Sequence, residues 1–420
     1  MRSAGLLKAT SAYGLSVVVS GVVSIAVIPA VIIAAGETAW VTIAVSQAVA
    51  GFAFVLAVFG WGVTGPTDVA SRGSVERGRY FFESLLSRTW LSLIIVPISI
   101  PLSIILSRGD PLLAGLTTAS GILVALGAGW FFVGEKSPIR FLVLDTAPRI
   151  IGTVAGAGVL LATGDARWFA GIQLAGVVAA AIISSASILR RYRSWSFTAS
   201  PKRALRNLRG QAAPVTMAAT TSLYVNVPIV IVQLFLPSAT AVYALAERIV
   251  RLSLYATRPV VQIAQGYVPA SEHLDLVARA KRVTLIGLVL GGAGGLAFAV
   301  LGPWVGTILS GGAIDLGSAL AIAMGANLAA LLASQLTGFA CLTAFGLARE
   351  LARSTIVGAI VGTVLMIPLT FAFGVVGLAW GLAISELAVL AVQLVALRRA
   401  FAAPPPEKPA EPVEPALPPE

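Results

Sequence analysis

The sequence predicts an all-α polytopic membrane protein with about twelve transmembrane helices, in two pseudo-symmetric six-helix lobes around a central cavity. Three observations predict this fold class. The chain of 420 residues is 57% hydrophobic and only 11% charged, a composition that excludes a soluble domain of this size. Apolar runs long enough to cross a membrane recur along the chain, with basic residues concentrated in alternate connections. The second half also repeats the pattern of the first at an offset of about 200 residues.

Each apolar run of roughly 20 residues is long enough to cross a bilayer as a helix. The first run, which begins near Ala9, is too long for the apolar part of a signal peptide, so we expect it to remain as the first span. In chain order the predicted spans are approximately 9–35, 40–63, 86–107, 112–134, 142–163, 169–189, 213–236, 240–268, 284–309, 316–344, 354–373 and 377–397.

Lysine and arginine residues indicate the orientation of the spans. If the N-terminus is inside, the cytoplasmic connections hold 23 of the 29 basic residues, Arg88 among them, whereas the opposite connections hold only Arg108 and Arg167. Basic residues favour the cytoplasmic side, so we expect a multi-pass protein of the cytoplasmic (plasma) membrane with both termini in the cytoplasm. The net charge of +11 then reflects topology and attraction to anionic membrane lipids, not binding of nucleic acid.

The connections also suggest how the chain is divided. Those on the outer side are only a few residues long, whereas the connection after the sixth span is long and strongly basic. The predicted organisation is an N-terminal lobe (1–189), a basic cytoplasmic linker (190–212), a C-terminal lobe (213–397) and a tail (398–420). We expect the tail to be disordered, because its Pro- and Glu-rich sequence cannot bury apolar surface.

The internal repeat is clearest between Gly36–Ser71 and Leu236–Ser271. Each segment contains a turn, a long span, a proline and a small-residue exit that ends in Ala-Ser. Six spans per half make the repeat parallel, with a two-fold axis along the membrane normal. The substrate path would then lie between the lobes, and the lining would be asymmetric because only the second half carries charged residues in this span.

The eighth span carries a polar stripe. Its residues follow one another at steps of three and four, which places them on one helix face: Arg248, Arg251, Tyr255, Arg258, Gln262 and Gln265. The stripe is roughly 26 Å long, most of the hydrocarbon core. An arginine at the centre of a membrane helix costs about 2.5–3.5 kcal/mol on insertion scales, so the stripe cannot face lipid.

Two interpretations of the stripe remain open. In the first, the stripe lines a cavity with positive charge and receives an anionic substrate. Alternatively it is structural: Glu247 neutralises Arg251 at the i,i+4 spacing, and the other residues pack against neighbouring helices.

Polar residues of other spans are further candidates for the cavity. Asp145 and Arg149 form an i,i+4 pair in the fifth span, where Arg149 is either a second cationic position in the cavity or reaches the interface. Asn226 and Gln233 in the seventh span are either hydrogen-bonding groups of the cavity or contacts between helices. Glu386, near the middle of the last span, is the best candidate for a coupling-ion site or for the partner of a buried arginine.

The sequence argues against metal, nucleotide and cofactor chemistry. Cys341 is the only cysteine and His273 the only histidine, so a metal site built from these residue types is excluded, and we predict no cofactor. The segment Gly129–Ser137 contains the glycines and lysine of a phosphate-binding loop, but it has an extra Glu before the lysine and follows a membrane span instead of a strand. Transport would therefore use an ion gradient (H⁺ or Na⁺), the membrane potential or the gradient of the substrate.

Four short motifs carry a resemblance to a known family: Lys8-Ala-Thr-Ser-Ala-Tyr-Gly14, Gly60-Trp-Gly-Val-Thr-Gly-Pro66, Tyr243-Ala-Leu-Ala-Glu-Arg248-Ile and Phe373-Gly-Val-Val-Gly-Leu-Ala379. With the two six-helix lobes and the basic central linker, they resemble the polysaccharide-exporter (O-antigen flippase-like) branch of the multidrug/oligosaccharidyl-lipid/polysaccharide exporter superfamily. The resemblance covers roughly residues 1–400.

This resemblance implies a non-enzymatic function. Family members move a lipid-linked oligosaccharide, typically linked through polyprenyl pyrophosphate, from the inner to the outer leaflet by alternating access, for cell-surface polysaccharide biosynthesis. The resemblance also implies other polysaccharide-assembly proteins as partners, and cavity arginines that engage the anionic headgroup. Arg248, Arg251 and Arg258 suit that role best, because guanidinium groups bind phosphate oxygens in a bidentate manner.

Three other functions remain as alternatives. A multidrug or organic-cation antiporter of the same superfamily would use buried carboxylates, for which Asp145, Glu247 and Glu386 qualify. A membrane glycosyltransferase or polymerase would need a sizeable loop outside the membrane, which the short outer connections do not provide. A scaffold without transport activity predicts that packing seals the stripe and leaves no cavity.

Overall fold

The computed structural model of the protein describes residues 2–192, 208, 211–269 and 273–402, without the side chains of 2–18, 212–214, 217 and 273. Most of the predicted linker, the tail beyond 402 and the side chain of His273 lie outside the described residues. The described part of the chain is helical throughout its long elements and contains no strand.

The helices of the first half form the N-terminal lobe. They are α1 (Arg2–Val58), α2 (Trp61–Ser71), α3 (Ser74–Ser107), α4 (Pro111–Leu123), α5 (Gly129–Gly134), α6 (Pro138–Arg140), α7 (Ala147–Thr163) and α8 (Ala166–Tyr192). The helices of the second half form the C-terminal lobe. They are α9 (Ala212–Phe235), α10 (Thr240–Tyr267), α11 (His273–Ser310), α12 (Ser318–Gln335) and α13 (Ala348–Ala402). A π-helical segment precedes α7 (Phe141–Thr146), and another follows α12 (Leu336–Leu342).

The helices of the described residues account for twelve membrane spans. Nine helical segments of the described residues are long and apolar enough to cross a membrane. Two of them hold two spans each, because α1 leaves helical geometry at Gly36 (φ 84°) and α13 at Gly374 (φ 63°). The twelfth is α10, which has 28 residues but carries the charged stripe. The chain is therefore a multi-pass membrane protein, and the predicted fold class is confirmed.

Similar contacts occur at similar places in the two halves of the chain. Arg77 at the start of α3 donates to the Val69 carbonyl (2.8 Å), and Arg279 at the start of α11 donates to the Tyr267 carbonyl (3.2 Å). Each arginine thus binds a carbonyl at the end of the preceding helix, where intrahelical donors are missing. Left-handed backbone follows α3 at Arg108 (φ 54°), and the corresponding turn after α11 is also left-handed.

The apolar cores show how the lobes meet. We call the end of the bundle that carries most basic connections the basic end, and the opposite end the far end. Towards the far end both lobes contribute to one core, which includes Phe169 from α8 and Leu316 before α12. At the basic end the lobes have separate cores, one containing Phe81 and the other Val283. The lobes therefore pack together at the far end and separate towards the basic end.

The fourth predicted span departs from expectation, and so does Arg88. The helix breaks between α4 and α5, and the freed carbonyls of Ala125 and Gly127 accept from the Arg88 guanidinium at 2.6 and 2.8 Å. Arg88 is fully buried and lies over the Trp130 ring at 5.3 Å. The assignment of Arg88 to a cytoplasmic connection is thus wrong. Membrane interiors require every backbone carbonyl to be satisfied, and Arg88 serves that need.

Candidate functional site

The helix α10 presents different residues to the C-terminal lobe and to the space between the lobes. Its buried side includes Tyr243, Val250, Val261 and Ala264, at the spacing of one helix face. The predicted stripe runs along the neighbouring side. Its far-end half lies against the N-terminal lobe, as the contacts of Arg248 show.

A cavity of about 330 Å³ lies between the lobes at the far-end half of the stripe. We call it the central cavity. Three elements line it, namely the second span within α1, α9 and α10. Its polar lining residues are Gln47, Asn226, Glu247, Arg248 and Arg251, with Trp40, Ala44, Ala48, Gly51, Ile229 and Ala244 completing the wall. The structure thus brings together four of the residues predicted for the site.

Arg248 reaches from α10 into the N-terminal lobe. Its Nη2 donates to the Ser24 hydroxyl at 2.8 Å, and its Nη1 donates to the Gln47 side-chain carbonyl at 3.5 Å. Its buried Nε has no hydrogen-bond partner in the part of the chain that the structure describes. Both acceptors are uncharged. The positive charge of Arg248 is therefore not neutralised by a carboxylate of the described residues.

Arg251 is paired with Glu247, as one of the two interpretations of the stripe predicts. Its Nε donates to Glu247 Oε1 at 2.7 Å, its Nη2 donates to the same oxygen, and Nη2 also donates to the Val225 carbonyl at 3.3 Å. Packing does not seal the pair, because both residues line the central cavity. With Arg248, the three side chains carry an excess of one positive charge.

The basic-end half of the stripe is exposed. Tyr255, Arg258 and Gln262 are accessible, and the Arg258 guanidinium lies 4.4 Å from the centre of the Tyr255 ring. Gln265 donates to the Phe339 carbonyl at 3.3 Å. These residues share a helix side with Arg248 and Arg251, so the stripe continues from the central cavity towards the end where the two cores separate.

A second cavity of about 330 Å³ lies within the C-terminal lobe. It is mainly apolar, and its polar lining includes Tyr224, Asn327 and Glu386. The buried Glu386 carboxylate accepts from the Tyr224 hydroxyl at 3.2 Å. No arginine of the described residues pairs with it. We call this space the C-lobe cavity; it shares Glu247 and Arg251 with the central cavity.

Three of the predicted residues lie elsewhere. Gln233 is buried at the contact between the lobes, where its amide donates to the Ser107 carbonyl at 3.1 Å. Arg149 is ion-paired with the buried Asp145, and neither residue belongs to the lining of the central or the C-lobe cavity. The structure thus separates these three from the arginines of α10.

The sequence analysis missed the partners that the N-terminal lobe supplies. Ser24, Trp40 and Gln47 lie in apolar spans without any charge pattern, and only the repeat pointed to their surroundings. Trp40 donates to the Ala241 carbonyl and Gln47 accepts from Arg248, and both pairs are 201 positions apart. Residues related by a two-fold axis lie close together where their helices cross that axis. The repeat offset of about 200 residues, applied to Arg248, could therefore have pointed to Gln47.

Among the described residues no group of three or more His, Cys, Asp and Glu side chains could hold a metal ion.

Comparison with solved structures identifies the fold. The chain is similar to the lipid II flippase MurJ in an inward closed conformation, with a TM-score of 0.69 and 14% identity over 93% of this chain and 88% of that one. It is also similar to a multidrug resistance MATE family transporter of the MOP superfamily in an inward-facing conformation, with a TM-score of 0.58 and 14% identity over 93% and 94%. A MATE in a bent conformation gives a TM-score of 0.54 and 14% identity over 95% and 97%.

These similarities show the fold alone. The chain has the all-helical fold of MOP-superfamily proteins, as the sequence resemblance implies. No protein-family model matches the chain, and no curated protein sequence matches it significantly.

Proposed function

We propose that the protein is a flippase or exporter that moves a lipid-linked oligosaccharide, carried on polyprenyl pyrophosphate, across the cytoplasmic membrane by alternating access. The observation that carries this proposal is the excess positive charge of Glu247, Arg248 and Arg251 in a cavity between two lobes. A charge at this depth is costly unless a partner or water compensates it, and a phosphate-bearing headgroup would provide that compensation.

The chemistry of the arginines suits a pyrophosphate. Arg248 uses two of its five N–H donors on neutral oxygens, and one of these bonds is long. Hydrogen bonds from arginine to phosphate oxygens are shorter and about twice as strong as neutral ones. Arg251 directs Nε and Nη2 to one oxygen of Glu247, so its remaining donors are available at the cavity.

The shape of the molecule supports entry from the basic end. The lobes, with 1–189 and 213–397 as the proposed moving units and 190–212 as their linker, separate towards that end. Arg258 and Tyr255 lie along the way to the central cavity. We assign the basic end and both termini to the cytoplasm, because basic residues favour that side. Solved proteins with this fold include one described as a lipid II flippase.

Reconstitution in vesicles tests the proposal. Transfer of a labelled polyprenyl-pyrophosphate oligosaccharide between leaflets would be compared among the wild type, Arg248→Gln, Arg251→Gln and the double variant. We expect each single variant to lose at least tenfold in rate, because a charged hydrogen bond contributes about 1.5–3 kcal/mol. Arg353→Gln is the matched control, because Arg353 is a surface arginine of the same lobe whose side chain is 68% exposed. Equal transfer by all variants would refute the headgroup proposal.

One observation favours a second candidate function, export of organic cations in exchange for an ion. The C-lobe cavity is mainly apolar and contains the buried Glu386 carboxylate without an arginine partner among the described residues. An apolar cation would find both burial and charge compensation there. Loss of cation export in Glu386→Gln, with normal export in Arg248→Gln, would favour this function. Loss of H⁺ or Na⁺ dependence of lipid transfer in Glu386→Gln would instead make Glu386 the coupling-ion site of the flippase.

A further inference from the structure

Hydrogen bonds between the lobes differ with height in the membrane. At the far end, neutral side chains donate to backbone carbonyls, namely Trp40 to Ala241 at 3.2 Å and Gln233 to Ser107 at 3.1 Å. At the height of the central cavity, Arg248 donates to Ser24 and Gln47, and the Ser222 hydroxyl donates to the Gly51 carbonyl at 3.2 Å. Among the described residues, Arg248 is the only charged side chain that forms a hydrogen bond between the lobes.

Arg248 lies between two spaces. On one side is the central cavity. On the other is a recess of about 50 Å³ in the N-terminal lobe, whose lining includes Ser24, Gln47, Thr153 and Gln173. The guanidinium is poorly satisfied there, because its buried Nε lacks a partner within the described residues and its bond to Gln47 is 3.5 Å long.

We propose that Arg248 is a latch between the lobes that an anion in the central cavity releases. The proposal rests on the function proposed above and names how the same site would control lobe movement. In the latched state the guanidinium is held by Ser24 and Gln47 in the N-terminal lobe. In the released state it turns to the anion, and the charged bond between the lobes at this height is lost.

Competition for the guanidinium drives the release. The two latch acceptors are neutral, whereas phosphate oxygens are ionised and form hydrogen bonds with arginine that are about twice as strong. Arg251 shares the central cavity and would hold the same anion, so the anion gains a second positive partner when it binds Arg248. A ligand shifts a conformational equilibrium only through such a difference in affinity between the two states.

This competition predicts the direction in which substitutions of Ser24 and Gln47 change the affinity for the anion. If Ser24 and Gln47 compete with the anion for Arg248, then removal of their acceptor oxygens must tighten anion binding. The loss of one or two modest hydrogen bonds corresponds to roughly 2- to 10-fold in the dissociation constant. If Ser24 and Gln47 instead bound the anion themselves, their removal would weaken binding. A purely structural role would leave the affinity unchanged.

The experiment measures binding and lobe separation on the full chain in nanodiscs, with inorganic pyrophosphate as the probe. The test variant is Ser24→Ala/Gln47→Leu. The matched control is Thr153→Val, which alters the same recess at a residue without a described hydrogen bond to Arg248. Spin labels at Val75→Cys and Leu274→Cys, both exposed at the starts of α3 and α11, report the distance between the lobes. The native Cys341 is fully buried, so labelling is directed to the introduced thiols.

The latch predicts three results. Pyrophosphate changes the distance distribution of the wild type. The test variant shows the changed distribution without pyrophosphate and binds pyrophosphate roughly 2- to 10-fold more tightly. The control behaves as the wild type.

Equal or weaker pyrophosphate binding by the test variant overturns the latch, and so does a wild-type distance that pyrophosphate does not alter. Neither result decides the proposed function, which depends on lipid transfer. Conversely, tighter pyrophosphate binding by Ser24→Ala/Gln47→Leu, together with normal lipid transfer by Arg248→Gln, would refute the headgroup proposal and leave the latch in place.

Discussion

The two lobes share one helical plan but use intramembrane charge in different ways. In the N-terminal lobe, Arg88 is enclosed and binds backbone carbonyls, and Asp145 is buried beside Arg149. In the C-terminal lobe, Arg251 and Glu386 border cavities. The comparison teaches that a charged residue in a membrane span does not by itself mark a ligand site. What surrounds the charge decides its role.

The helix breaks explain the difference. The fourth span stops at the end of α4 and resumes at α5, which leaves carbonyls that Arg88 satisfies. In the C-terminal lobe, α12 continues directly into the π-helical segment Leu336–Leu342, so this position requires no arginine.

The largest expected effect in this comparison is on stability. Arg88→Met removes the donors for two buried carbonyls, so we expect a loss of about 2–6 kcal/mol in the free energy of unfolding. Arg251→Met should cost far less, because water in the cavities can solvate Glu247. Thermal unfolding in detergent measures both variants. Similar losses in the two variants would contradict the distinction between a structural and a cavity arginine.

Neutralising either member of the Glu247–Arg251 pair gives the next largest change, and the two substitutions are expected to act in opposite directions. Glu247→Gln frees Arg251 and raises the positive charge of the central cavity, so pyrophosphate should bind roughly tenfold more tightly. Arg251→Gln leaves Glu247 unpaired and should weaken binding by at least as much. Calorimetric titration measures the two constants. Changes of the same sign in both variants would show that the pair does not act through its charge.

A smaller effect is expected from the C-lobe cavity. Tyr224→Phe removes the hydroxyl that donates to Glu386, which should cost about 0.5–1.5 kcal/mol of stability and leave pyrophosphate affinity unchanged. Thermal unfolding and the same titration measure these quantities. If Tyr224→Phe altered pyrophosphate binding severalfold, the two cavities would have to act as one site.

The smallest effect concerns the surface of the N-terminal lobe. Asp110 accepts from Arg167 (2.6 Å) and from the Leu113 backbone N–H (2.7 Å), and these bonds lower the pKa of Asp110. Because the pKa is lower in the folded state, the stabilisation is present above the ordinary aspartate pKa of about 3.9 and is lost as the pH falls through the folded value. Asp110→Asn should remove this dependence, as melting temperatures between about pH 2 and 5 would reveal. An unchanged acid dependence would assign it to other carboxylates.

Much of this arrangement follows from the sequence. The length of the apolar runs predicts the membrane spans, because the thickness of the bilayer fixes how many helical residues are needed to cross it. The three- and four-residue steps place Arg248 and Arg251 on one side of α10, and the repeat brings that side against the second span. Arg88 could not be recognised, because it stands where an apolar run meets basic residues and its acceptors lie 37 and 39 positions away. The Ser24 and Gln47 contacts likewise depend on how the lobes dock.

Gly51 has a consequence for the size of what the central cavity can hold. A methyl group at this position would lie 3.0 Å from the Asn226 side-chain oxygen, and the Ser222 hydroxyl already donates to the Gly51 carbonyl at 3.2 Å. The two lobes therefore pack closely here, and a side chain at position 51 would press on the Asn226 amide. A larger residue here would displace the Asn226 side chain, which lines the central cavity, so the missing side chain of Gly51 helps to set the width of that cavity.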